Sequence, residues 1–137
     1  MTDLDVAGAT PIATLFEDEL IRVSPSATLS QVSTVLLEAN VGAVVVGDEA
    51  TVDGVVSERD IVRAIAEGRD PSATRALEVA STAIVWCDAS ATVAEVAREM
   101  MVEYVRHVLV EADGKVLGIV SARDLLGVYT TDDAEPE

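Results

Sequence analysis

Two heptapeptides place serine, arginine and aspartate at the same spacing: GVVSERD at 54–60 and GIVSARD at 118–124. Each puts Ser-x-x-Asp directly before an apolar run, which is the pattern of a capping box at a helix N-terminus. The same corner suits phosphate, because a helix N-terminus carries unpaired N–H groups and the positive end of the helix dipole. The residues are therefore interpreted as caps, as binding groups, or as both. They are Ser57, Asp60, Ser121 and Asp124.

Three arginines and the only histidine accompany these corners. Arg59 and Arg123 lie inside the heptapeptides, and Arg106 precedes His107 in the stretch YVRHVLV. An arginine fork can bind two phosphate oxygens at once, but it can equally pair with one of the many carboxylates of this chain. A lone histidine is more often a packing or surface residue than a functional one.

The sequence offers no credible set of catalytic residues. A Ser–His–Asp arrangement would depend on the single histidine, and the chain contains neither a P-loop nor an HExxH motif. Cys87 is the only cysteine, so an internal disulfide and a cysteine-based metal site are both excluded. We expect a protein that is not an enzyme and that binds no metal.

The two heptapeptides belong to a longer internal repeat. A shift of 64 residues aligns the chain with itself without a gap from position 10 onwards, and SAT at 26–28 then coincides with SAT at 90–92. Ungapped self-similarity over nearly the whole length indicates a duplication. Two copies are too few for a solenoid, so we expect a pseudo-symmetric pair that shares one core.

Each copy predicts the order strand, helix, strand, strand, helix after a partly helical lead-in segment. Capping boxes at Thr28 and Thr92 begin the first helices, and apolar residues follow at helical spacing. Apolar runs separated by polar turns then indicate β-hairpins. The strands are predicted at 19–23, 43–47 and 52–57, and at 83–87, 107–111 and 116–121; the last helices extend to about 68 and 129.

The predicted fold class is α+β, with two pseudo-symmetric strand-helix-strand-strand-helix repeats packed through their sheets. The ends lack apolar periodicity, which is typical of mobile termini. The predicted divisions are a mobile N-terminus 1–9, repeat 10–68, linker 69–73, repeat 74–130 and a mobile acidic C-terminus 131–137.

The charge balance restricts partners and location. Asp and Glu total 25 against 9 Lys and Arg, giving a net charge of −16 with Lys115 as the only lysine. Such a surface repels phosphate backbones, so nucleic acid is not an expected partner. The acid excess is interpreted either as an aid to solubility or as adaptation to a salt-rich cytoplasm. No long apolar run and no basic leader are present, which predicts a cytoplasmic protein without a membrane span.

The repeat length, the element order and the two Gly-x-Val-Ser-x-Arg-Asp corners resemble a tandem pair of CBS domains, the cystathionine-β-synthase-type regulatory module, as found in stand-alone regulatory proteins. The resemblance covers roughly residues 8–130. It implies a homodimer that regulates an unknown separate protein and needs no obligatory cofactor. It also implies two clefts between the repeats, which in many members bind AMP, ADP, ATP or S-adenosylmethionine. A ligand-independent interaction module with degenerate clefts is the alternative.

The resemblance assigns roles to residues at matching positions. It implies that Asp60 and Asp124 bind ribose, and that Ser57 and Ser121 contact ribose or phosphate. Arg106 and His107 match a family position that reaches phosphate, although Leu109 replaces a common proline.

The first copy has Gly42 and Ala43 where the second has Arg106 and His107, so we expect unequal clefts. An adenine would need an apolar slot, and the first strands supply candidates that can also be plain core residues. Trp86 is interpreted either as a dimer anchor or as a residue covered by a loop. The candidates for the slot are Ile21, Val23, Ile84 and Val85.

Overall fold

The computed structural model describes residues 2–15, 20–48 and 51–131. Glu19 of the first predicted strand and the acidic end after position 131 lie outside them. The described residues form six α-helices and six strands, which confirms the α+β class. The helices are α1 (Asp3–Gly8), α2 (Leu29–Ala39), α3 (Glu58–Ala66), α4 (Ala76–Val79), α5 (Val93–Glu103) and α6 (Ala122–Thr131), with a 3₁₀ helix at Ile12–Leu15. The strands are β1 (Arg22–Val23), β2 (Ala43–Val46), β3 (Gly54–Ser57), β4 (Trp86–Asp88), β5 (His107–Ala112) and β6 (Lys115–Ser121).

The strands form two sheets of three, in the orders β1-β2-β3 and β4-β5-β6. The first two strands of each sheet are parallel because a helix connects them, and the last two form an antiparallel hairpin. The register pairs Ala43 with Ser57 in one sheet and His107 with Ser121 in the other. The hairpins therefore hold the residue pairs 42–43 and 106–107 beside the two Ser-x-x-Asp corners.

The compact units of the structure do not follow the sequence repeats. One unit contains residues up to 19 together with residues from 85 onwards, and the other contains residues 20–84. In the first of these, Ile12 donates its N–H to the carbonyl of Ala91 over 2.8 Å. In the other, Ala76 donates to the carbonyl of Ala27 over 2.7 Å. Each lead-in segment thus joins the unit built mainly from the opposite repeat, a pairing that sequence similarity does not report.

The N-terminal stretch 1–9 differs from the irregular end expected from sequence. It contains α1, whose capping box joins the Asp5 N–H to Thr2 Oγ1 at 3.1 Å and the Thr2 N–H to Asp5 Oδ2 at 3.0 Å. The bond from the Thr2 backbone N–H, followed by that from its hydroxyl, lowers the pKa of Asp5 below its usual value. Ala7 is buried where α1 packs against α5 and α6. The mobility of this end stays a prediction.

Each unit has its own valine-rich core. Valine suits these positions because its branched side chain packs well on a pleated sheet. The core of unit 20–84 consists of Val23, Leu29, Val32, Leu36, Val44, Val46, Val56, Ile61, Ala64 and Ala76. The other core consists of Ile12, Val93, Val96, Met100, Val108, Val110, Val120 and Leu125.

Among the described residues, no helix is long and apolar enough to cross a membrane.

The glycine that opens the first heptapeptide is required by close packing. A Cβ at Gly54 would lie 2.8 Å from the Cβ of Ala80 and 3.0 Å from the carbonyl oxygen of Ser81. We expect Gly54→Ala to lower the free energy of unfolding by about 1–3 kcal/mol, the usual cost of overpacking, as measured by urea denaturation. Gly127→Ala is the matched control, because that helical site is open and alanine is expected to stabilise it. Equal stability of Gly54→Ala and the native chain would contradict this.

Candidate functional site

Both Ser-x-x-Asp corners are capping boxes at the start of a helix. At the first, Ser57 donates its N–H to Asp60 Oδ2 over 2.8 Å, and Asp60 donates its N–H to Ser57 Oγ over 3.3 Å. At the second, the corresponding distances from Ser121 to Asp124 and back are 2.9 and 3.0 Å. The cap interpretation is therefore confirmed at both places. Binding through the same groups stays a prediction.

The two corners differ in what else contacts the aspartate. The Ser57 hydroxyl donates to Asp60 Oδ2 over 3.0 Å, and the Arg63 guanidinium lies 3.3 Å from Asp60 Oδ1. The Asp60 side chain is only 16% exposed. Asp124 is exposed. Among the described residues, it accepts no hydrogen bond from the Ser121 hydroxyl and none from an arginine. The first carboxylate is thus enclosed and the second is accessible.

Arg106 and His107 lie at the second corner. The carbonyl of Arg106 accepts the N–H of Ala122, the first residue of α6, over 2.9 Å, and His107 faces Ser121 across β5 and β6. Directly opposed residues of an antiparallel pair carry their side chains on the same face, about 5 Å apart. Within this unit, the hairpin register places the backbone of Arg106 and His107 beside Ser121 and the first residue of α6.

The first corner has the same backbone but lacks these side chains. The carbonyl of Gly42 accepts the N–H of Glu58 over 2.9 Å, and Ala43 faces Ser57. The backbone geometry matches that of the second corner, but glycine and alanine give the start of β2 no positively charged side chain. The two corners therefore differ in these side chains, and the inequality of the clefts stays a prediction.

The arginines of the two heptapeptides are exposed. Over residues 2–15, 20–48 and 51–131, neither Arg59 nor Arg123 forms an ion pair within 4.0 Å, and the same holds for Arg106. Pairing with a carboxylate, which the sequence offered as the alternative to phosphate contact, is thus not seen in the described residues. Their contact with phosphate stays a prediction.

The four apolar candidates for an adenine slot are mainly core residues. Val23 is 8% exposed within the first core, while Ile21 and Val85 pack half-buried against the first and second cores. The carbonyls of all three already accept sheet hydrogen bonds, from the N–H groups of Val45, Gly47 and Leu109. Ile84 is half-buried. Val23 is therefore a core residue. In β1 and β4, the backbone N–H and C=O groups that face away from the neighbouring strand are those of Arg22 and Trp86.

The aromatic and thiol side chains of β4 have different surroundings. Trp86 is 38% exposed on the outer strand of its sheet, so it is partly buried, and its role as a dimer anchor stays a prediction. Burial, followed by the negative charges of Asp88, Glu99 and Glu111, raises the pKa of Cys87 to about 11. The thiol therefore stays protonated near neutral pH and is a poor nucleophile, because the thiolate is the reactive form. Within the described segments, no three His, Cys, Asp or Glu side chains are placed to hold a metal ion.

Comparison with known proteins decides the family. The sequence profile of the CBS domain matches residues 12–67 and again residues 76–130. The chain belongs to the CBS-domain family. Hypoxic response protein 1 of Mycobacterium tuberculosis is 33% identical over 100 residues, which span 72% of this chain and 70% of that protein. The family assignment and the tandem repeat expected from the sequence are thereby confirmed.

Solved structures of CBS-domain proteins show the same fold. A CBS-domain protein of Pyrobaculum aerophilum, solved in complex with AMP, is 29% identical with a TM-score of 0.74, over 83% of this chain and 88% of that one. An uncharacterised conserved protein of Pyrococcus horikoshii is 26% identical with a TM-score of 0.79, over 95% and 96% of the two chains. The adenosine nucleotide in the first of these belongs to that protein.

Proposed function

We propose that this CBS-domain chain is a ligand-sensing regulatory module that binds an adenosine compound and modulates a separate partner protein. The observation that carries the proposal is the second corner, where an accessible aspartate and its capping serine begin α6 beside the end of β5 that carries Arg106 and His107. The AMP complex of the Pyrobaculum aerophilum relative supports an adenosine compound as the ligand class.

The groups of this corner have complementary tasks toward a nucleotide. The Asp124 carboxylate can accept hydrogen bonds from both ribose hydroxyls, since an ionised carboxylate is an acceptor with about four sites. The positive end of the α6 dipole and the guanidinium forks of Arg106 and Arg123 favour phosphate. Modulation of the partner protein follows if the ligand has different affinities for two states of this chain, because only such a difference shifts the populations of the two states.

A thermal-shift panel of AMP, ADP, ATP, NAD and S-adenosylmethionine tests this function. A ligand at 100 times its dissociation constant stabilises the protein that binds it by about 2.7 kcal/mol, so a rise in Tm is expected with at least one adenosine compound. GMP is the matched control for base recognition. No shift with any adenosine compound contradicts the proposal and favours the alternative, a ligand-independent interaction module, which the enclosed first corner supports.

We also propose that the chain acts as a homodimer. Each unit exposes large apolar side chains at the same two positions of the repeat: Leu37 and Met101 are 82% and 77% exposed, and Val62 and Leu126 are 65% and 64% exposed. Burial of such side chains against a second copy would remove apolar area from water. We expect twice the chain mass of 14.4 kDa in light scattering after size exclusion in molar KCl. A monomer at that salt concentration contradicts the dimer.

A salt-rich cytoplasm is the proposed setting. Only two salt bridges, Arg63–Asp60 and Arg69–Glu78, occur in the described residues, against 25 acidic residues in the whole chain. Most carboxylates therefore repel one another in dilute buffer, whereas molar salt shortens the screening length to about 3 Å. We expect Tm to rise steadily from 0.05 to 2 M KCl. A Tm that does not depend on KCl would rule out this adaptation.

A further inference from the structure

The two corners carry different residues one helical turn beyond the aspartate. Arg63 in α3 and Gly127 in α6 occupy equivalent positions of the repeat, three residues after Asp60 and Asp124 respectively. Arg63 reaches back to Asp60 Oδ1 at 3.3 Å. A Cβ at Gly127 would meet no atom of the described residues within 4 Å, so none of them fills the surface one turn beyond Asp124.

Asp60 has about one of its four acceptor sites left for a ribose. Its Oδ2 accepts both the N–H and the hydroxyl of Ser57, and its Oδ1 accepts from Arg63. The Ser57 hydroxyl gives its single proton to this carboxylate, so it cannot donate the same proton to a ligand. A ribose diol needs two acceptor sites, so at the first corner it must displace either Arg63 or the Ser57 hydroxyl.

Asp124 keeps one oxygen available. Its Oδ2 accepts the N–H of Ser121, while among the described residues its Oδ1 accepts no hydrogen bond. The Ser121 hydroxyl accepts from the Asp124 N–H and, in the same part of the chain, donates to no carboxylate. Both groups therefore retain hydrogen-bonding capacity that their counterparts at the first corner have already used.

We propose that the residue three positions after the aspartate decides which corner accepts ribose. Arg63 closes the first corner by occupying Asp60, and Gly127 leaves Asp124 accessible, so the chain binds one equivalent of adenosine at the second corner. This inference rests on the proposed function and adds to it the residues that select the site. Neither lies within the heptapeptides that marked the corners.

Exchange variants test the two halves of the inference with adenosine as the probe. Adenosine carries no phosphate, so an added arginine acts on it through Asp124 and not through attraction to an anion. Gly127→Arg is expected to weaken adenosine binding by about three- to fivefold, the size that an exposed ion pair supports, as measured by calorimetry. Gly127→Gln, which is long but uncharged, is the matched control and is expected to bind within twofold of the native chain. Equal affinities of these two variants overturn the claim for the second corner.

Arg63→Ala tests the first corner without placing glycine in a helix. It is expected to add a second, weaker equivalent of adenosine, and Asp60→Ala in the same chain is expected to remove that equivalent again. One equivalent in both chains overturns the role of Arg63. If the native chain binds no adenosine compound at all, the proposed function fails together with this inference. Native binding that is insensitive to residues 63 and 127 removes the inference alone.

Discussion

Asp124→Ala is expected to weaken AMP binding about tenfold or more, whereas Asp60→Ala is expected to change it less than threefold. Loss of a hydrogen bond to a charged group costs about 1.5–3 kcal/mol, and about 1.4 kcal/mol corresponds to tenfold in affinity. Asp124 is exposed and available to ribose, while Asp60 is enclosed by Ser57 and Arg63. Calorimetric titration of each variant with AMP measures the difference.

The two variants control for one another. Each removes the aspartate of a capping box with the same backbone hydrogen bonds, and Asp60→Ala also removes the contacts with the Ser57 hydroxyl and Arg63. Urea denaturation without ligand checks that both variants are folded under the conditions of the titration. Equal losses of AMP affinity in the two variants would show that the corners are equivalent, and a loss of folding in both would leave them as structural caps.

Ile12→Ala is expected to lower the free energy of unfolding by about 2–5 kcal/mol, the range for truncating a large buried aliphatic side chain. Ile12 is 0% exposed and packs in a core with residues of α5, β5 and β6, which lie more than 80 residues later in the sequence. Its N–H also donates to the carbonyl of Ala91 over 2.8 Å. Urea denaturation measures the loss, and a large value would support the exchange of lead-in segments between the units.

Ile12→Val is the control for this truncation. It keeps a branched side chain and removes one methyl group, so a cost of about 0.5–1.5 kcal/mol is expected. A cost below about 1 kcal/mol for Ile12→Ala itself would mean that the lead-in segment does not belong to that core. Because Ile12 is 0% exposed and so cannot touch a ligand, AMP affinity of the folded Ile12→Val chain is expected to match that of the native chain.

Sequence predicts the helices and hairpins of this chain well because their signals are local. The capping boxes at Thr28 and Thr92 begin α2 and α5 where expected, and each heptapeptide runs from the end of β3 or β6 into the first turn of α3 or α6. The strand predicted at 19–23 is shorter, at Arg22–Val23, since its length depends on hydrogen bonds to β2 rather than on its own residues. The short α1 has a capping box but no apolar period, so the periodicity did not reveal it.

The features missed from sequence depend on distant contacts. Similarity between the copies aligns Ile12 with Ala76, but it cannot report that each packs in the unit made mainly by the other copy. Arg63 lies beyond the heptapeptide, so the motif does not mark it, although residues three apart on a helix commonly form ion pairs. The sequence does show that the second copy has Gly127 at the position of Arg63, and this difference could have indicated that the corners are unequal.

Mapping of AMP contacts by amide NMR tests the central claim most directly, because it reports the place of binding as well as its existence. Titration of the isotopically labelled native chain in molar KCl is expected to shift the amides of Arg106, His107 and residues 121–124 first and most. The equivalent amides at 42–43 and 57–60 are expected to shift little. No shifts at saturating AMP, or shifts of equal size at both corners, would contradict the account.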